Sequence, residues 1–186
     1  VGSSDVYKRQ GRMNMAVSAK DVMVLRRQTD CGMMECKKAL VKAEGDMEKA
    51  VDVLRTAGLA AVAKKAGRAT NEGTALAVVS ADGKTGAVVE LNCETDFVGM
   101  NDKFKAYAEK IAQAAIANKP ADLDALKASE IEGETVDDII TDAIHTLGEN
   151  IQLSRFGVKE GDALAAYVHM GGKIGVLVSF DVADAA

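Results

Sequence analysis

The sequence predicts an α+β protein in two parts, a small helical head followed by an antiparallel sheet with helices packed against it. Three observations carry this reading. Apolar residues recur at helical spacing between Ser18 and Gly58. From Gly73 the period shortens to that of strands, around the turn dipeptide Asp82-Gly83. A second helical stripe, Val136 to Leu147, precedes further strand-like runs.

In the head, Ser18 with Asp21 three residues on reads as a helix start, the Asp standing in for the Glu of a capping box. Val22 and Leu25 then share a face. Gly32 interrupts the pattern. A second helix fits Met34 to Ala43, with Cys36, Ala39 and Leu40 inward. Gly45 ends it and Asp46 caps a third, along which Met47, Ala50, Val51 and Leu54 keep helical spacing and Gly58 supplies a stop. Ala60 to Ala66 remains helical in composition, a trailing linker helix. Gly67, Asn71 and Gly73 then mark a linker, so the head spans residues 15–69 and the body 70–186. Met33 and Met34 resist a packing account. Neighbouring helical side chains diverge by about 100°, so one of the two should face solvent. Lys37 and Lys38 beside them read, on residue chemistry, as a solvated face.

In the body, the runs on either side of Asp82-Gly83 form a hairpin. Residues 102–118 read as a helix with Phe104, Tyr107, Ala108, Ile111, Ala115 and Ile116 inward, ended by Pro120, the only proline. Val136, Ile139, Ile140, Ala143, Ile144 and Leu147 line the next helix, which Gly148 closes. Strands follow at Ile151 to Val158, Leu164 to Met170 and Ile174 to Val182, with Gly171-Gly172 as the last turn.

The totals exclude several classes. Of 186 residues, 48% are hydrophobic and 27% charged, a folded composition. No apolar run approaches the ~20 residues of a membrane helix. A net charge of −5 argues against general nucleic-acid binding. The charge is uneven: Lys20 to Arg68 holds 11 basic and 7 acidic residues, whereas Lys119 to Asn150 holds 2 basic and 9 acidic. Cys31, Cys36 and Cys93 form no CxxC pair, which suggests reduced thiols and a cytoplasmic address. Residues 1–12, "VGSSDVYKRQGR", read as a foreign leader, with natural starts at Met13 or Met15.

No catalytic constellation emerges. His145 and His169 lie on different elements, without cysteines or carboxylates at metal-ligand spacing. His145 reads as a surface residue. No phosphate-cradling glycine motif occurs. The expectation is an interaction protein, not an enzyme, without cofactor or metal. Its oddest stretch is "NCETDFVGMND", Asn92 to Asp102, which puts an aromatic into a polar corner. Either Asp96 caps the next helix and Phe97 tucks beneath it as a staple, or Phe97 projects toward a partner. The exposure of the ring separates the two.

Four blocks carry a family resemblance. "VLRRQTDCGMMECKKALVKAEGDMEKAVDVLR" (24–55), "AVVELNCETDFVGMNDKF" (87–104), "LGENIQLSRF" (147–156) and "AYVHMGGKIGVLV" (166–178) closely resemble, in order, bacterial elongation factor Ts. The resemblance implies a guanine-nucleotide exchange factor for elongation factor Tu. It implies a ubiquitin-associated-like three-helix head that docks on the G domain of Tu, and a sheet domain whose Phe97 wedges between two Tu helices with Asp96 as its polar partner. The other contact positions it implies are Arg26, Met33, Met34 and Lys37 in the head, and Leu147, Gly148 and His169 in the body. It implies no direct nucleic-acid or membrane contact, and a possible homodimer. Family members run on past "FDVADAA", so a truncated reading frame holding only the first half of the core domain is expected. The rival readings are a ubiquitin-associated-type binding module with another partner, which leaves "TDFV" unexplained, and a thiol enzyme using Cys31, Cys36 or Cys93.

Overall fold

The computed structural model describes residues 17–29 and 31–181. The expected leader, the start sites Met13 and Met15, and Val182 at the end of the last strand lie outside the described residues. The chain divides between Ala60 and Ala61 into two compact units. The boundary expected near residue 70 marks the approach to the first strand.

The first unit contains α1 (Ala19–Thr29), α2 (Met33–Lys42) and the start of α3 (Met47–Lys65). The Ser18–Asp21 capping box is reciprocal: the Asp21 N–H donates to Ser18 Oγ at 3.1 Å and the Ser18 N–H to Asp21 Oδ2 at 3.3 Å. Asp46 caps α3 by accepting from the Lys49 N–H at 3.1 Å. Val22, Leu25, Cys31, Cys36, Ala39, Leu40, Ala43, Ala50 and Leu54 close a small core. Three expectations are corrected here. Gly58 does not stop α3, because one glycine costs a helix only about 1 kcal/mol and "LAAVAKK" beyond it favours helix. Val51 is exposed while Ala50 and Leu54 are buried. Both Met33 and Met34 face solvent, since Gly32 starts α2 without a side-chain cap and the first core residue of α2 is Cys36.

The second unit opens with β1 (Glu72–Val79) and β2 (Thr85–Cys93), an antiparallel hairpin. In its turn Asp82 accepts from the Lys84 N–H at 3.0 Å and from Ser80 Oγ at 2.5 Å. These bonds hold the Asp82 carboxyl below its ordinary pKa, the Ser80 hydroxyl contributing most. A four-residue helix, α4 (Asp96–Gly99), leads into α5 (Asp102–Asn118). Sequence periodicity passes over α6 (Leu123–Ala128) and the two-residue strands β3 (Glu130–Ile131) and β4 (Glu134–Thr135), which are too short to show a period. Then come α7 (Val136–Leu147), closed by Gly148 at φ 80°, and β5 (Gln152–Glu160), which pairs with β2. Buried side chains of β2, α5, α6, α7 and β5, among them Leu91, Phe104, Ile111, Leu126 and Ile144, form the main core.

The last strands, β6 (Ala163–His169) and β7 (Ile174–Phe180), pair only with each other. The single expected sheet is thus a three-stranded sheet, β1-β2-β5, and a separate ribbon, β6-β7. The ribbon lies over the face of β1–β2 opposite α5. "GKTGAVVEL" of the first hairpin and "GKIGVLVSF" of the second hold the same register: Gly86 pairs with Val79, and Gly175 with Val168. The contacts are reciprocal. A Cβ on Gly86 would come within 2.6 Å of Leu177 and 3.2 Å of Leu164, and one on Gly175 within 3.2 Å of Val88 and 3.1 Å of the Ala75 backbone. Leu177 and Leu164 occupy the positions in the second hairpin that Val88 and Ala75 occupy in the first. Two similar hairpins therefore stack back to back, each glycine making room for the other hairpin.

Candidate functional site: an exposed aromatic on a braced corner

β2 runs into a corner at Glu94-Thr95 before α4. Thr95 has extended backbone (φ −122°, ψ 155°), and its Oγ1 accepts from the Val98 N–H at 3.4 Å. Thr95 is therefore the N-cap of α4, and Asn101 is that of α5, accepting from the Lys103 N–H at 2.8 Å. Asp96 caps neither helix. It stands in the first turn of α4, where a carboxylate suits the helix dipole. The Phe97 ring is 82% exposed, which rules out the staple.

The corner is held from the α7–β5 link. Glu149 Oε2 accepts from the Glu94 N–H at 2.9 Å and the Thr95 N–H at 3.0 Å, and Glu149 Oε1 accepts from Thr95 Oγ1 at 2.6 Å. In return Glu94 Oε1 accepts from the Asn150 N–H at 2.7 Å and from Arg68 Nη1 at 3.3 Å. These donors, the Asn150 N–H first, hold the Glu94 carboxyl below its ordinary pKa. Below the corner lies Cys93, whose thiol donates to the Thr95 carbonyl at 3.1 Å. Burial, then the Glu149 and Glu72 charges, push that thiol up to about 11.

Two other segments meet the first residues of β1. A Cβ on Gly99 of α4 would sit 3.3 Å from the Gly73 carbonyl oxygen, so the two backbones pack directly. The β6–β7 turn docks through the Ala75 N–H, which donates to the Gly172 carbonyl at 2.6 Å. A Cβ at Gly172 would collide with Thr74, which requires glycine there. Lys173 Nζ pairs with Glu72 Oε2 at 2.6 Å. That hydrogen bond is the main cause raising the Lys173 pKa, with a smaller part from the Asp96 charge.

Of the body residues singled out in the sequence, Asp96 and Phe97 stand on the corner, and Leu147 and Gly148 lead directly into its brace. Leu147 is half-buried against the core, and Gly148 is exposed. His169 ends β6, with its Nδ1 2.9 Å from Tyr167 Oη, in the turn docked on β1. In the other unit, Arg26 lies in the last turn of α1, and Met33, Met34 and Lys37 are exposed on the first turns of α2. His145 is half-buried at the end of α7, its ring reaching the surface only in part. Sequence reasoning missed other exposed apolar side chains: Met23 and Val41 in the head, Met100 after α4, and Met170, 71% exposed in the β6–β7 turn at φ 49°. It also missed Glu149. The only signal was that this residue follows a helix-closing glycine.

A shallow groove of about 380 Å³ lies between the ribbon and the sheet, lined in part by Ala75, Val88, Arg155, Phe156 and Ile174. Its cations are engaged, Arg155 Nε with Glu90 at 2.5 Å and Lys173 with Glu72, so it offers no ready anion cradle. Among the described residues no helix is long and apolar enough to cross a membrane.

The comparisons agree with the four sequence blocks. A family model described as "Elongation factor TS" matches residues 94–186. The chain is 50% identical over 170 residues to elongation factor Ts of Yersinia pestis, a match spanning 91% of this chain and 57% of that protein. With elongation factor Ts of Halorhodospira halophila it shares 48% over 171 residues, 91% of this chain and 58% of the relative. With that of Trichlorobacter lovleyi it shares 47% over 169 residues, 88% and 54%. The chain spans little more than half the length of these relatives.

Proposed function

The chain belongs to the elongation factor Ts family, and from that premise we propose that it is a guanine-nucleotide exchange factor of translation elongation. It binds elongation factor Tu carrying GDP, in the cytoplasm, and accelerates GDP release. It forms and breaks no covalent bond.

The observation that supports this most is Phe97, a large aromatic presented to solvent on a corner whose backbone is tied from both sides. A few such residues usually carry most of an interface's energy. The ring enters the G domain of Tu between two helices and disturbs the phosphate and magnesium site, with Asp96 alongside. Met33, Met34, Lys37 and Arg26 dock the head on the same domain, an adaptable thioether surface bordered by positive charge. Leu147, Gly148 and His169 extend the contact from the body. The driving principle is linkage. A protein that binds nucleotide-free Tu more tightly than the GDP form weakens GDP by the same factor.

The test is release of a fluorescent GDP analogue from Tu. The full chain should accelerate release, and Phe97→Ala should lose that acceleration by on the order of tenfold or more while folding normally. Unchanged stimulation by a folded Phe97→Ala protein would remove the wedge.

A further inference from the structure

α4 has only four residues, too few to be a stable helix alone, since forming the first turn carries a nucleation cost that so short a segment does not recover. Phe97 is too exposed for its own packing to fix its direction. The orientation of the ring is therefore set by whatever holds the backbone beneath it. On the far side of α4 that is the contact of Gly99 with Gly73. On the near side it is one side chain. Glu149 takes three hydrogen bonds from two consecutive residues of the corner, and the middle residue of the three-part run Glu94-Thr95-Asp96 is also the cap of α4.

We propose that Glu149 is a positioning residue for Phe97, its carboxylate fixing the β2–α4 corner at the angle from which the ring reaches its partner. The inference rests on the exchange reading above. Glu149 touches no reacting group. It acts through Thr95, whose hydroxyl it orders so that the oxygen can accept from Val98, the residue after Phe97. The reverse bond, from the Asn150 N–H to Glu94, makes the brace two-way: corner and link each supply a carboxylate to the other's backbone. Backbone N–H groups bonded to a carboxylate make stronger bonds than neutral pairs, and two of them converge on a single oxygen here. Leu147 and Gly148 lie immediately before the brace, so the same link that presents them also aims the ring.

The experiment compares the full chain with Glu149→Ala and Glu149→Gln. The glutamine can keep the geometry: its oxygen accepts from the two N–H groups and its amide donates to Thr95 Oγ1. In Glu149→Ala the maximal stimulated rate of GDP release from Tu should fall by on the order of tenfold, with the half-saturating concentration within about threefold of the parent. Glu149→Gln should recover the rate to within about threefold. Amide hydrogen exchange at Phe97 and Val98 should quicken in Glu149→Ala by on the order of tenfold, with the core helix α5 unchanged. A parent-like rate in Glu149→Ala overturns the proposal. So does equal loss in both variants with unchanged amide exchange, which would place the carboxylate in direct contact with Tu. If the parent chain itself fails to accelerate release, the exchange reading falls, and amide exchange alone then decides the brace.

Discussion

The two hairpins of the body share a register and a pair of interlocked glycines, yet their outer faces have different fates. The outer face of β1–β2 carries Leu76, Ala87, Val89 and Leu91 into the core beneath α5. The matching face of β6–β7 carries Ala165, Val176, Val178 and Phe180, equally apolar, and leaves all four exposed, Val176 at 38%. Similar residues in the same register thus do not decide burial. Burial is decided by what the chain supplies to cover the face, and α5 covers only the first hairpin among the described residues.

That contrast can be broken by one substitution made twice. Val89 is 1% exposed and Val178, its counterpart, 43%. Val89→Ala should cost about 2–3 kcal/mol in urea unfolding, a transfer loss plus a cavity, and Val178→Ala less than about 1 kcal/mol. Equal costs would mean that the ribbon face is covered in solution. A smaller effect sharpens the stacking. Gly86→Ala should lose about 1–3 kcal/mol by pressing on Leu177, and Leu177→Ala in the same chain should give back part of that loss. Additive losses in the double-mutant cycle would show that the two hairpins do not touch there. The smallest effect concerns the end of the first hairpin. Because the Glu94 pKa is lowered on folding, its contribution is present above the unfolded carboxylate pKa and is lost as pH falls through the folded value. The stability gap between the parent and Glu94→Gln should therefore be open at neutral pH and close below about pH 4. A gap that is flat with pH would remove the role of the charge.

Much of this fold was legible because its signals are local. Asp82-Gly83 marks a turn, Ser18 and Asp21 bond within one helical turn, and Gly148 closes α7 as a left-handed cap. The stripe from Val136 to Leu147 needs no partner to be read. What escaped depends on partners far along the chain. Gly58 looks like a stop until the residues after it are weighed. Val51 sits beside Ala50 in the pattern, and only the approach of α1 and α2 selects which faces in. The stacking of the two hairpins turns on Gly86 meeting Leu177, and the brace on Glu149 meeting Thr95, both invisible to any window of a dozen residues. In the candidate site, Phe97 stood out by being misplaced in a polar corner, and family resemblance gave it a role that spacing could not. Met100, Met170 and Glu149 carried no such mark.

The thiol beneath the corner has a consequence of its own. At neutral pH a group with a pKa near 11 is ionised in roughly one molecule in ten thousand, and only the ionised form attacks alkylating reagents. Buried in the core, Cys93 is chemically silent. Opened, the same sulfur meets water and regains ordinary acidity. Its alkylation therefore waits on an opening of the core at the end of β2, where the sulfur is wholly buried, and the rate at which a thiol reagent labels it counts those openings.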